Sequence, residues 1–302
     1  MGRSLGDKRG DCVMSVFIFG AGYSGKAIAR ELAGEASFIG GTTRTTENYS
    51  ALQAAGIEPY AFSGQSDETA NLPLAGTTHM VVSIAPGKDG DPLLSETMRQ
   101  VFDDMPALKW IGYLSTVGVY GDHQGEWVNE ETTCRAVSAR SIARAEAEDA
   151  WLALGRKMNV PVATLRLSGI YGPGRNAFIN LEAGRARRLI KPGQVFNRIH
   201  VDDIAGAVAH LARARTGGIF NVTDDQPAPP QNVVLRAAEI MGVQAPSEHA
   251  FKTAELTPMV RSFYGENKRV SNARLKQAGY VFRHADFNAG LLNLWETGNW
   301  RG

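Results

Sequence analysis

Short apolar runs alternate along the chain with segments whose apolar residues recur every three or four positions. The first run, Val16–Phe19, is wholly apolar, as expected of a buried parallel strand, and Ile28 and Leu32 then share one face of a predicted helix. Further apolar runs occupy residues 79–86, 108–121 and 160–174. This alternation of strand and helix patterns predicts an α/β fold with a doubly wound parallel sheet and ligands at the carboxyl ends of its strands.

A later segment, residues 200–214, has the amphipathic pattern of a surface helix. Asp202 and Asp203 stand at its start and have the composition of a metal or acid pair. Compensation of the helix dipole and capping explain two aspartates at a helix N-terminus more simply. We therefore expect no metal site here.

Composition narrows the class of protein. The 302 residues are 43% hydrophobic, enough for a large core, and 32 Lys and Arg against 31 Asp and Glu give a net charge of +1. This balance gives no overall positive charge that would indicate a nucleic-acid partner. No apolar run approaches the roughly 18 residues needed to span a membrane. The chain has two cysteines, Cys12 and Cys134, and no Cys/His cluster. This pattern argues against a zinc site or a disulfide framework and is compatible with a reducing cytoplasm.

Residues 1–13 are polar and glycine-rich, and Met14 follows them directly before the first strand. We expect a disordered leader that adds nothing to the fold, with either Met1 or Met14 as the native start.

A glycine-rich motif follows the first strand and opens the first helix. Gly20 would permit the tight turn, Gly22 would let backbone approach a pyrophosphate, and Gly25 would let helix pack on strand. The position of the motif between a strand and a helix predicts dinucleotide binding. The alternative is a glycine-rich turn without a ligand.

The end of the second strand bears on which dinucleotide is preferred. An NAD enzyme places Asp or Glu there, whereas this chain has Thr42, Thr43 and Arg44. A guanidinium can bind the 2′-phosphate bidentately, so we predict NADP(H) over NAD(H); the alternative is an exposed loop arginine.

Five motifs together resemble the extended short-chain dehydrogenase/reductases, the NAD(P)-dependent epimerase/dehydratase group. They are, in order, GAGYSG (20–25), LSTVGVYG (114–121), LRLSGIYGPG (165–174), RIHVDDIA (198–205) and GIFNVTDD (218–225). The resemblance implies a Rossmann domain over residues 14–175 and 200–228. It also implies a small C-terminal substrate lobe from residues 176–199 and 229–302.

The resemblance also implies site residues. Thr116 matches the residue that hydrogen-bonds the reacting oxygen, and Gly169 stands where the family often has Asn. The implied cofactor-binding residues are Gly20, Gly22, Tyr23, Ser24, Gly25, Arg44, Phe62, Ser83, Ala85, Ser115, Arg144, Leu167 and Ser168. Ser63, after Phe62, stands near the usual position of an adenine-binding Asp.

The catalytic helix departs from the family pattern. The family's YxxxK motif has a Glu four positions after its lysine. When Glu148 is aligned with that Glu, Arg144 takes the position of the lysine and Arg140 that of the tyrosine. Spacing alone also fits a solvated helix face. In the resemblance Arg144 can still bind the ribose, but Arg140 stays protonated and cannot replace tyrosine in proton transfer. Asp91 and His200 are the candidate replacements, with a structural hydrogen-bonding role as the alternative for His200.

Two functions remain open from the sequence. One is an NADP(H)-dependent oxidoreductase or epimerase/dehydratase-like enzyme for a small polar or anionic substrate, with Thr116, Arg140, Arg144 and Asp91 as candidate catalytic residues. The other is a non-catalytic NADP(H)-binding redox sensor or partner-binding protein. The basic run 185–191 would attract an anionic substrate if the protein is an enzyme. The alternative interpretation of this run is a solvated face. A homodimer is compatible with both.

Overall fold

A computed structural model describes residues 14–87, 89–98 and 100–302 of the chain. The predicted leader, residues 1–13, lies outside the described residues. The strands are β1 Met14–Phe19, β2 Ala36–Thr43, β3 Glu58–Ala61, β4 His79–Val82, β5 Trp110–Thr116, β6 Trp127–Val128, β7 Val162–Leu167, β8 Gly169–Tyr171, β9 Arg188–Ile190, β10 Arg198–His200, β11 Gly218–Val222, β12 Glu248–Ala250 and β13 Arg269–Val270. The α-helices are α1 Tyr23–Leu32, α2 Tyr49–Gln53, α3 Gln100–Asp103, α4 Ala139–Met158, α5 Ala177–Glu182, α6 Val201–Ala214, α7 Pro230–Met241, α8 Pro258–Phe263, α9 Ala273–Gln277 and α10 Phe287–Glu296.

Seven strands form one parallel sheet in the order β11-β7-β5-β4-β1-β2-β3. The order reverses between β1 and β4, so the carboxyl ends of these two strands frame the crevice in which such sheets bind ligands. The predicted doubly wound Rossmann sheet is confirmed.

The alternation of side chains along β1 sends its residues into two separate cores. Val16 and Ile18 pack with the helices α1 and α6 on one face, and Phe17 and Phe19 pack on the other face with the α4 side chain Trp151. Because both faces of the sheet are covered, β1 is apolar from Val16 to Phe19, which is the pattern that the sequence shows.

The smaller lobe has its own core, formed by side chains that include Phe178 of α5, Ala237 of α7 and Leu291 of α10. The predicted lobe boundary needs one correction. Leu275 and Tyr280 are buried in the core beside the main sheet, although the lobe was predicted to include the whole of 229–302. The Tyr280 hydroxyl donates to the α6 carboxylate Asp203 at 2.9 Å, and β13 pairs with β6, so residues 269–284 pack on the Rossmann domain.

Three two-stranded parallel pairs, β8 with β10, β9 with β12 and β6 with β13, lie outside the main sheet. In the described part of the chain, every helix is too short or too polar to cross a membrane.

Candidate functional site

The glycine loop between β1 and α1 has a shape that only glycine allows at its first position. Gly20 has φ +82°, and a Cβ there would lie 3.0 Å from Cγ1 of Ile84 at the end of β4. The loop is fixed to β2, because Thr42 accepts hydrogen bonds from the Gly20 amide through Oγ1 and from the Ala21 amide through its carbonyl, both at 2.8 Å. At Gly25 a Cβ would lie 3.2 Å from Cγ2 of Ile18, so helix and strand pack as closely as predicted.

The N-terminus of α1 is suited to an anion. No side chain caps it, and its first turn contains no acidic residue. A Cβ on Gly22 would have only the Gly20 carbonyl oxygen within 4 Å, so open space borders the loop there. Free amides, the helix dipole and this space fit the pyrophosphate of a dinucleotide.

A cavity of about 820 Å³, the glycine-loop cavity, extends from this helix end along β2. Its lining includes Gly20, Gly22, Tyr23, Thr42, Thr43, Arg44, Phe62, Ser63 and Ala85. Arg44 is exposed, with its side chain on the cavity wall. Phe62 is buried edge-on against Phe19, with ring centroids 5.6 Å apart. The Ser63 amide donates to the Glu68 carboxylate at 2.7 Å, so a carboxylate lies close to this wall although the expected Asp is missing.

A second cavity of about 780 Å³, the arginine cavity, lies at the carboxyl ends of β5 and β7. The predicted residues Ser24, Ser83, Ser115, Thr116, Arg140, Arg144, Leu167 and Ser168 all line it. Thr116 Oγ1 accepts the Gly118 amide at 3.1 Å, which orients the hydroxyl at the strand end. Ser168 is buried, and its hydroxyl has no hydrogen-bond partner among the described residues. An unpartnered buried hydroxyl on this wall fits a polar ligand such as a nicotinamide carboxamide.

The two arginines of α4 occupy different environments. Arg144 Nη1 donates to the Leu114 carbonyl at 2.5 Å and to the Tyr113 hydroxyl at 3.3 Å, and its guanidinium lies 5.7 Å from the Tyr113 ring centroid. Burial raises the pKa of Tyr113 to about 12, so that hydroxyl stays protonated. Arg140, one turn earlier, is exposed and lines the same cavity. Arg144 is therefore held against β5, whereas Arg140 is unrestrained.

Glu148, the anchor of the motif, is bound by a residue that sequence reasoning missed. Arg166 of β7 donates from Nη2 at 2.7 Å and from Nε at 3.0 Å to Glu148 Oε2, and Ser115 Oγ donates to Oε1 at 2.5 Å. Glu148 and Arg166 are only 2% and 4% exposed. The Arg166 guanidinium also lies 4.8 Å from the Tyr120 ring centroid. An arginine inside the otherwise apolar run VATLRL was the available signal, since a buried charge requires a partner.

Asp91 does not take the catalytic position predicted for it. Its carboxylate accepts the Leu93 amide at 3.0 Å and the Trp151 indole N–H at 2.9 Å, and it lines neither cavity. Burial raises the pKa of Asp91. The residue caps the turn 92–94 and fixes Trp151, so we correct its role to a structural one.

His200 is likewise structural with respect to the cleft. It is 1% exposed, its Nδ1 accepts the Asp202 amide at 3.2 Å as the cap of α6, and it lines neither cavity. Burial lowers the pKa of His200 to about 3, so the ring is neutral.

The lobe contributes a set of cationic side chains that the sequence identified only in part. Besides the two arginines of α4, the arginine cavity is lined by Arg175, Arg185, Arg187, Arg198 and Lys268. Its one lining carboxylate in the described part of the chain, Glu266, is already paired with Lys268 at 2.6 Å.

The arginines of this cavity lack carboxylate partners. Within the described residues none of the six forms a salt bridge, although seven arginines elsewhere do. Arg198 is the most enclosed: Nη1 donates to the Phe196 and Ala228 carbonyls at 2.9 and 3.1 Å, and burial lowers its pKa to about 10. Uncompensated positive charge on one wall favours a negatively charged ligand.

Known proteins share this architecture. The model of the NAD dependent epimerase/dehydratase family matches residues 16–223. A conserved protein of unknown function from Silicibacter pomeroyi DSS is 41% identical, with a TM-score of 0.86 over 94% of this chain and 99% of its own. Protein YeeZ of Escherichia coli K12 is 29% identical over 245 residues, 76% of this chain and 85% of its own. The human epimerase family protein SDR39U1, isoform 2, with NADPH, has a TM-score of 0.73 at 17% identity, covering 94% and 99% of the two chains.

Proposed function

The chain belongs to the NAD dependent epimerase/dehydratase family, and we propose that within it the protein is an NADP(H)-dependent enzyme of the oxidoreductase or epimerase/dehydratase type acting on a small anionic substrate. One observation carries the substrate class. In the part of the chain that the structure describes, six arginines without carboxylate partners line a single cavity beside the glycine loop, while the net charge of the full sequence is only +1. A carboxylate or phosphate would supply the missing partners bidentately.

The preference for NADP(H) rests on Arg44. It lies on the wall of the glycine-loop cavity directly after Thr42 and Thr43, where a carboxylate would repel a 2′-phosphate. Gly22, Ser24 and the free amides of α1 would hold the pyrophosphate, and Ser83, Leu167 and Ser168 would border the nicotinamide.

The residues around the reaction space have distinct roles in this proposal. A bound nicotinamide would supply or accept the hydride. The Thr116 hydroxyl would donate a hydrogen bond to the reacting oxygen, since its own oxygen already accepts the Gly118 amide. Arg144, fixed on the Leu114 carbonyl, would place positive charge near the ribose. Arg140 would orient an anionic group of the substrate without transferring a proton, because a guanidinium carries only hydrogen-bond donors.

A second candidate function follows from the same helix. Arg140 and Arg144 stand where the family's proton-transferring pair is expected, and neither guanidinium can exchange a proton near neutral pH. A protein that binds NADP(H) without turnover, as a sensor or partner-binding protein, would retain this cleft.

Calorimetric titration with NADPH and NADH, followed by NADPH oxidation assays, tests the proposal. The assay panel pairs carbonyl compounds that carry a carboxylate or phosphate with uncharged analogues. We expect tighter NADPH binding and turnover confined to the acidic members. NADPH binding without turnover on any member would favour the sensor, and failure to bind either nucleotide would exclude both functions.

A further inference from the structure

Three potential metal ligands converge outside the cleft, where β10 meets α6. His200 caps the helix, Asp202 lies in its first turn, and His284 arrives from the segment before α10. None of the three lines the glycine-loop cavity or the arginine cavity. We propose that His200, Asp202 and His284 bind a divalent transition-metal ion, with Zn²⁺ the best match. This proposal does not depend on the proposed function.

The distances suit a zinc ion after a small contraction. Asp202 Oδ2 lies 3.5 Å from His200 Nδ1 and 4.0 Å from His284 Nε2, and one donor atom from each residue lies within 4.8 Å of the others. Tetrahedral Zn²⁺ with bonds of about 2.0–2.2 Å places its ligand atoms about 3.3–3.6 Å apart. Two imidazoles and one carboxylate leave a fourth position for water, and imidazole donors disfavour Mg²⁺ and Ca²⁺.

The segment that carries His284 is fixed to α6 by a neighbouring carboxylate. Asp203 is fully buried and accepts three hydrogen bonds, from the Tyr280 hydroxyl at 2.9 Å and from the Arg283 and His284 amides at 2.7 and 3.0 Å. The His284 ring therefore stands with its centroid 4.1 Å from that of His200. Ligands placed by such supporting hydrogen bonds lose little freedom when an ion binds.

The local charges favour a cation. Arg283 is the nearby cation, and Glu31 holds its guanidinium with two hydrogen bonds of 2.9 and 2.6 Å. Asp203 therefore adds a second carboxyl group beside that of Asp202 in the first turn of α6.

Binding would replace one weak hydrogen bond. The Nδ1 lone pair of His200 accepts the Asp202 amide at 3.2 Å, and an ion at this nitrogen would take that lone pair. His200 Nε2 is buried without a hydrogen-bond partner among the described residues, so no second hydrogen bond opposes a small rotation of the ring. The ion would fasten the segment that carries His284 to the start of α6, directly after β10, the strand that contains Arg198.

Titration of chelator-treated full-length protein with ZnCl₂ in a calorimeter tests the site, with Co²⁺ absorption as a probe of coordination geometry. We expect one equivalent of Zn²⁺ to bind, a tetrahedral Co²⁺ spectrum, and a higher melting temperature with zinc. His284→Ala should weaken Zn²⁺ at least about tenfold, as loss of one of three protein ligands requires. Asp202→Asn should also weaken Zn²⁺ binding. This second variant keeps the test valid if His284→Ala fails to fold.

His249→Ala is the matched control, because His249 is exposed on β12, outside the cluster. It should bind zinc like the parent. Absence of a one-equivalent binding event, or equal zinc affinity in His284→Ala, Asp202→Asn and the parent, would overturn the proposal. NADPH binding should persist without zinc, so failure of the metal site is separable from failure of the proposed function.

Discussion

The glycine-loop cavity and the arginine cavity adjoin at the switch point of one sheet, yet they are built by different means. The first is made largely of backbone: a glycine turn, a bare helix end and the end of β2. The second is made of charged side chains from α4, the loop before α5, β10 and the loop before β13. The glycine-loop cavity depends on residues that are close in sequence, whereas the arginine cavity depends on contacts between distant segments. We therefore expect the two cavities to respond differently to substitution.

The largest effect should come from Glu148, which binds Ser115 on the wall of the arginine cavity. Glu148→Ala leaves the buried Arg166 guanidinium without its carboxylate, which costs about 3–5 kcal/mol of unfolding free energy. Urea denaturation measures this loss. Glu182→Ala, which removes an exposed ion pair with Arg301, should cost at most about 1 kcal/mol. Equal losses in the two variants would mean that the buried pair does not organise the cleft.

The free energy of unfolding should depend on pH through a carboxyl group beside the arginine cavity. Burial raises the pKa of Asp224, behind Arg198, from 3.8 to about 8. The folded state then holds a proton that the unfolded state has released, so this contribution to stability is complete below about pH 4 and is lost as the pH rises to about 8. Asp224→Asn should flatten the stability profile over that interval. Asp104→Asn, at an exposed carboxyl group that is not among the charges shifting Asp224, should leave the slope unchanged. A slope equally steep in Asp224→Asn would refute the assignment.

The cofactor preference should be reduced by one change at the glycine-loop end. Arg44→Asp removes a charge-assisted contact worth about 1.5–3 kcal/mol, so NADPH affinity should fall at least about tenfold while NADH affinity changes little. Calorimetry with both nucleotides measures the difference. Arg236→Asp, on α7 away from both cavity linings, is the control. Equal affinities of the unmutated protein for the two nucleotides would contradict the prediction.

The smallest effect should be the most selective. Arg140→Ala should raise the KM of an acidic substrate several-fold, leaving NADPH affinity and melting temperature unchanged, because the Arg140 side chain is exposed at the start of α4. Arg156→Ala, in the last turn of the same helix, should change none of these quantities. A loss of NADPH affinity in Arg140→Ala would place this arginine at the cofactor instead.

The sequence predicts the sheet and the glycine turn after β1 well because their signals are local. Apolar runs, the spacing of Gly20, Gly22 and Gly25, and the absence of a carboxylate near Arg44 are all read within a few residues. The fold confirms the sheet that these patterns predict.

The remaining features depend on partners that are distant along the chain. Arg166 meets Glu148 across the end of a strand and a helix, and Asp91 meets Trp151 of α4, so neither pairing shows in local spacing. The same holds for Tyr280, whose bond to Asp203 moves its segment from the predicted lobe to the Rossmann domain. Periodicity predicts which face is buried, but it does not predict which polar groups meet there.

The two walls of the arginine cavity also differ in how they are fastened, and this has a consequence for motion. The sheet wall is secured by the buried Ser115–Glu148–Arg166 network, whereas the lobe wall includes Phe263, which is 55% exposed at the end of the six-residue helix α8. Backbone amides of β5 and β7 should therefore exchange with deuterium only on global unfolding, and those around α8 through local opening. Small molecules would then reach the cavity at a rate set by fluctuations of the lobe wall, while the sheet wall stays rigid.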